Sequence, residues 1–245
     1  MGKLRSLSSD EIIAQMYYAT QVCRLNKIYP IDNIVFMGMG EPADNVDNVV
    51  RAANILTDRQ LFQMAQNKVT ISTVAPTPHA FRALAMAPVT LAWSVHAVRD
   101  ELRRTLVPTT KYTMEELKNG FIEVLKERPQ RLRTIMLEVA LIDNVNDSVE
   151  DAAELAQFAQ SMIRQVPGMK LVVNLIPWND IGNHPLNYKR PKHERVRAFQ
   201  NALTERGIFT FIRTTRGDDE SAACGQLATR KKRKEEDQQQ VLMSP

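Results

Sequence analysis

Apolar and polar positions alternate in two rhythms along this chain. In residues 8–25, Ile12, Ile13, Met16, Tyr17, Val22 and Leu25 recur at the spacing of one helix face. Ser8 and Glu11 open that segment as a capping box, in which hydroxyl and carboxylate satisfy free N–H groups of the first turn. Residues 33–37 are a short β-branched and aromatic run ending at Gly38, and read as a strand. The same patterns predict helices over 46–56, 79–86, 113–128, 148–163 and 193–206. Thr113 and Glu116 form a second capping box, and Gly207 closes the last helix. Strands are predicted over 68–73, 89–95, 134–142, 170–176 and 208–214. Each is short and apolar nearly throughout, as expected of parallel strands covered on both faces. Unbroken helix–strand alternation argues for an α/β fold, either a barrel or an open doubly wound sheet. The chain opens on a helix, so a barrel of βα units would lack its first strand, which would lie upstream of Met1.

Composition narrows the picture modestly. The 245 residues, 24% charged, are enough for one domain with a sizeable core. No run of about 18 apolar residues occurs, so no membrane partner is expected. The first residues lack the apolar stretch of a secretory signal. Cys23 and Cys224 are too few for a disulfide framework, a zinc site or an iron–sulfur cluster by themselves, which fits a reducing compartment and predicts no metal ligands. Cys23 falls on the apolar face of the first helix and reads as buried filler. The net charge of +4 permits an anionic partner. Part of it is the run Arg230-Lys231-Lys232-Arg233-Lys234. Two regions follow: a barrel with a C-terminal cysteine loop over 1–228, and a basic, Gln-rich tail over 229–245 that reads as disordered. An RNA contact or a targeting signal is the alternative for the tail.

In parallel α/β folds ligands sit at the carboxyl ends of the strands. Small and polar residues gather there: Gly38-Met39-Gly40-Glu41-Pro42, Ser72-Thr73, Ser94-Val95-His96-Ala97, Asp143-Asn144 and Pro177-Trp178-Asn179. The last strand runs into Arg213, Arg216 and Cys224. Gly38 and Gly40 let backbone approach a ligand, and Glu41 brings an acceptor for an ammonium group; a tight turn accounts for the glycines equally. The stretch is not a dinucleotide fingerprint, because Glu41-Pro42 replaces the glycine-bearing helix start. His96 is a base, a ligand or a satisfied loop histidine, and no companion at metal-ligand spacing decides between them. Asn179 either orients a ligand or makes a turn with Asp180, and Trp178 either stacks or packs. Cys224 sits in a loop of small and charged residues, where Arg213 and Arg216 favour a nucleophilic thiolate.

Together, from Leu4 to about Ala228, these stretches resemble the RlmN/Cfr type of radical-SAM RNA (adenine-C2) methyltransferases. The resemblance implies a partial (β/α) barrel of the radical-SAM type with its first strand missing. It makes Gly40 and Glu41 part of the motif for the amino group of S-adenosyl-L-methionine (SAM). Ser72, Ser94, Val95, His96 and Asn179 become further SAM-contacting positions, and Cys224 the methyl-carrying cysteine. It implies a 4Fe–4S cluster, an electron donor and an RNA partner. In the family one SAM methylates the cysteine, a second is cleaved to a 5′-deoxyadenosyl radical, and the S-methyl carbon passes to carbon 2 of an adenine. The substrate is large-subunit rRNA and, in some members, tRNA. The family's Cys-x-x-x-Cys-x-x-Cys is nowhere in the 245 residues. Residues 1–7 resemble those just after the third cluster cysteine, and Cys23 cannot substitute because it lies within the following helix. The expectation is therefore a truncated chain that is inactive alone, in the cytoplasm or, if a targeting segment went with the N-terminus, an organelle. Two alternatives stand beside it: a non-catalytic SAM- or RNA-binding remnant, and an unrelated α/β-barrel enzyme for a small molecule.

Overall fold

The computed structural model describes residues 5–179 and 187–213, so Arg216, the Cys224 loop and the basic tail lie outside the described residues. In chain order the elements are α1 (Ser9–Leu25), β1 (Ile34–Phe36), α2 (Val46–Thr57), β2 (Val69–Thr73), α3 (Pro78–Leu84), β3 (Thr90–Ser94), α4 (Asp100–Leu106) and α5 (Met114–Glu127). Then follow β4 (Thr134–Leu141), α6 (Val149–Gln165), β5 (Lys170–Pro177), α7 (His193–Thr204) and β6 (Phe209–Ile212). The six strands are parallel and pair in the order β1-β2-β3-β4-β5-β6.

That order decides between the two architectures the sequence left open. A doubly wound sheet reverses its strand order at a switch point. Here no reversal occurs, and right-handed crossovers in one direction lay successive helices on one face of the sheet. The sheet is the wall of a partial barrel. Among the described residues β1 and β6 each pair on one side only.

The core lies between the sheet and its helices. Leu91, Trp93, Ile135, Leu137, Val139, Val173 and Leu175 point outward from the barrel wall, and Phe81, Leu117, Phe121, Leu155, Phe199 and Leu203 cover them. Phe81 and Phe121 stack at 4.2 Å between centroids, and the Trp93 ring meets them edge-on at 5.2 and 5.9 Å. The approach of α3 to α5 depends on Gly120, where a Cβ would stand 2.6 Å from Cβ of Pro78.

Both expected capping boxes form, at Ser8–Glu11 and Thr113–Glu116, and a third closes at Ser148–Asp151. Three expectations need correction. Helices cover one face of the strands, not both: the concave face carries Ser72, Ser94, Met136, Glu138 and Asn174 at alternate positions, with Ser72 and Glu138 buried at its centre and Phe209 and Phe211 exposed at its edge. In α1 only Ile12, Ile13 and Met16 of the apolar series pack on the core; Tyr17, Val22 and Leu25 are exposed and Cys23 is half-buried rather than core filler. α1 lies against α2 beside an edge strand, so only its first half reaches the core. Finally, α4 was not expected, because its one buried side chain is Arg103.

Candidate active site

Strand β4 runs through the middle of the barrel wall, and its alternation puts Glu138 on the concave face. Ser94 of β3 and Asn174 of β5 are its register partners. Glu138 is 3% exposed. Its Oε2 accepts a hydrogen bond from Oγ of Ser72 at 2.5 Å and a long one from Oγ of Ser94 at 3.5 Å. The two serine hydroxyls are 3.3 Å apart, and Nδ2 of Asn174 donates to the other Glu138 oxygen at 3.2 Å. Two of the expected cofactor residues, Ser72 and Ser94, are thus brought together by a carboxylate the sequence reading missed. Its signal was available: a lone acidic residue in the middle of an eight-residue apolar strand.

At the carboxyl end of β1 the chain turns through Gly40, whose φ of +75° favours glycine. Glu41 then anchors the turn. One carboxylate oxygen accepts from Oγ1 of Thr73 at 2.5 Å and from the Ala43 N–H at 3.0 Å; the other accepts from the Val74 N–H at 3.0 Å. Glu41 therefore ties the β1 loop to the end of β2 and caps the short 3₁₀ turn Pro42–Asp44. Three hydrogen bonds leave the carboxylate further acceptor capacity.

The end of β3 is held from below. Arg103 on α4, 1% exposed, donates to the carbonyls of Ser94 at 2.8 Å, of Val74 at 2.5 Å and of Val95. Burial brings its pKa down to about 10, so it stays cationic at neutral pH. The Val95 side chain is in the core, and its N–H donates to the Glu138 carbonyl at 2.9 Å. His96 adopts a left-handed φ of +59°, and its Nδ1 accepts from the Ala140 N–H at 3.1 Å. Burial, and then the charge of Arg103, lower its pKa to about 4. His96 is therefore a neutral imidazole with its proton on Nε2. Buried Asn146 fixes the turn from the other side, donating to the carbonyls of His96 at 2.7 Å and Ala140 at 2.8 Å. Of the three roles left open for His96, the satisfied loop histidine describes its Nδ1.

At the end of β5, Trp178 meets Tyr188 edge-on at 5.5 Å, so it packs. Oδ1 of Asn179 accepts from Arg190 at 3.4 Å. The structure thus gathers Ser72, Ser94, Val95 and His96 around Glu138 and Arg103, links Glu41 to them through β2, and sets Asn179 at the end of β5. Cys224 falls outside the described residues.

The polar set suits SAM, which presents hydroxyls, an ammonium and a carboxylate to such donors and acceptors. It does not suit an iron–sulfur cluster. The chain has two cysteines, and among the described residues no three His, Cys, Asp or Glu side chains are placed to hold a metal ion.

A parallel sheet in chain order, with polar groups on its inner face and at its carboxyl ends, defines a partial (β/α) barrel. The chain superposes on the crystal structure of a radical SAM methyltransferase from Sphaerobacter thermophilus with a TM-score of 0.79 and 36% identity, over 92% of this chain and 63% of that one. A domain of pyruvate-formate lyase-activating enzyme from Bacteroides vulgatus shares the fold alone, at a TM-score of 0.54 and 16% identity, over 74% of this chain and 99% of that one. In sequence the chain is 40% identical to the dual-specificity RNA methyltransferase RlmN of Francisella tularensis subsp. tularensis, over 93% of this chain and 60% of that protein. The homologous protein of subsp. novicida is 39% identical over the same shares. No protein-family model matches the chain. In sequence and fold the chain is similar to radical-SAM methyltransferases of the RlmN type, and it spans about three fifths of the length of the curated relatives it matches.

Proposed function

We propose that this chain is the SAM-binding part of an RNA methyltransferase that modifies carbon 2 of an adenine in large-subunit rRNA or tRNA. One observation carries the reading: the layer of Ser72, Ser94, Glu138 and Asn174 on the concave face, in a chain 40% identical to a protein described as an RNA methyltransferase. SAM, when bound, supplies the methyl group and the radical chemistry for which the family is named. The chain's own residues bind and orient it. Ser72, Ser94 and Asn174 present hydroxyl and amide groups from the barrel wall. His96 offers an Nε2 proton and, being neutral, adds no charge. Glu41 holds the β1 loop against β2 and keeps acceptor capacity for an ammonium group. Cys224, by resemblance, is the thiol that carries the methyl carbon.

Equilibrium dialysis of the purified chain against methyl-labelled SAM tests the reading. Saturable uptake, displaced by S-adenosylhomocysteine, is the expected result. Uptake that stays linear up to millimolar SAM refutes it. A second reading is a SAM- or RNA-binding chain without turnover of its own, since the two cysteines of the 245 residues are fewer than a cluster needs. It predicts label retained by the protein and none transferred to added rRNA.

A further inference from the structure

A carboxyl group that is 3% exposed must find hydrogen-bond donors, because burying it without them is costly. In many proteins a buried cation fills that role. Here the side-chain partners among the described residues are neutral: two serine hydroxyls and an asparagine amide, each from a different strand. The described ion pairs do not include Glu138. The arrangement has a directional consequence. A serine hydroxyl has one proton and two lone pairs. The Ser72 hydroxyl donates its hydrogen bond to Glu138 at 2.5 Å. The Ser94 proton has two inward acceptors, Oγ of Ser72 at 3.3 Å and Oε2 of Glu138 at 3.5 Å. With both protons directed inward, lone pairs are what the hydroxyls have left for anything on the concave side. Beside this layer Arg103 holds the Ser94 carbonyl and Asn146 the His96 carbonyl, so the backbone at the end of β3 is fixed.

We infer that Glu138 is a positioning residue of the cofactor site: it accepts hydrogen bonds from the Ser72 and Ser94 hydroxyls, so that the two serines face the ligand as hydrogen-bond acceptors. The inference rests on the SAM-binding reading and deepens it. This wall of the site then recognises a ligand by its O–H and N–H donors, and a ligand offering only acceptors is disfavoured. Glu138 itself need not touch the ligand; it acts through Ser72 and Ser94. A glutamine at position 138 keeps the volume but can present N–H groups to the serines. Their protons would then swing outward, reversing the polarity of the wall.

A double-mutant cycle on the whole chain tests this, read as SAM affinity by calorimetry, with thermal unfolding to verify folding. Glu138→Gln and Ser72→Ala are each expected to weaken SAM binding roughly tenfold, and the double variant to bind no more weakly than the worse single one. Losses that multiply to roughly a hundredfold overturn the inference, as does unchanged affinity in Glu138→Gln; either leaves the SAM-binding reading standing. Wild-type chain that takes up no SAM overturns both. Where Glu138→Gln does not fold, Ser72→Ala and Ser94→Ala decide with Glu138 intact. Non-additive losses support a shared acceptor, and independent losses overturn it.

Discussion

The two faces of one sheet follow different rules. Along β4, Ile135, Leu137, Val139 and Leu141 face the helices and are almost wholly buried among apolar side chains. Their neighbours Thr134, Met136, Glu138 and Ala140 take the other face, where a carboxyl group is equally buried yet surrounded by hydroxyls and an amide. Parity alone assigns a residue to one face or the other. The outer face contributes stability through area removed from water and close packing. The inner face contributes direction, because its polar groups bond one another in fixed orientations. A substitution therefore acts on folding or on binding according to which face it falls on.

The largest test of that division is Trp93→Ala. It empties the centre of the outer-face cluster formed with Phe81 and Phe121, and is expected to lower stability by about 3–5 kcal/mol. Urea unfolding measures it, and a loss below about 1 kcal/mol would erase the contrast between the faces. The next test lies at the rim. Folded His96 resists protonation down to about pH 4, whereas the unfolded residue takes a proton near 6.5. The unfolded chain binds more protons in that window, so stability from this group is whole above pH 6.5 and falls as pH drops toward 4. The loss is on the order of 3 kcal/mol. Urea midpoints from pH 7 to 4 should show a slope that His96→Asn flattens; asparagine tolerates the left-handed backbone there. An unchanged slope would assign the acid sensitivity elsewhere. The smallest effect is expected on the inner face. Ser94→Ala removes only long hydrogen bonds and should cost about 1 kcal/mol or less in the same assay.

What the sequence disclosed depended on how local its signals were. The strands and most helices were legible because periodicity and capping boxes are written within a few neighbouring residues. α4 was hidden because its inward side is charged: in Asp100–Leu106 the buried position is Arg103, the reverse of the usual pattern. The choice between barrel and doubly wound sheet needed the strand order, which no local pattern carries. The resemblance pointed to Ser72 and Ser94, whose hydroxyls the structure sets 3.3 Å apart. Glu138 escaped because its partners are distant in sequence and meet it only once β2 to β5 are aligned. α1 was misjudged over its second half, since helical spacing says which residues share a face and nothing of what covers it.

The strand order carries a consequence for how the molecule is made. Because space repeats sequence, every strand after the first finds its earlier neighbour already synthesised: Thr70 waits for Thr90, and Leu91 for Ile135. A chain leaving the ribosome can add one strand and one covering helix at a time. At each stage it shows a single growing edge, while a sheet with a switch point must keep a central strand waiting on both sides. Half-made sheets expose unpaired edges and apolar surface, which is where newborn proteins aggregate. The numbering of the barrel wall thus works as an assembly schedule that keeps such exposure short.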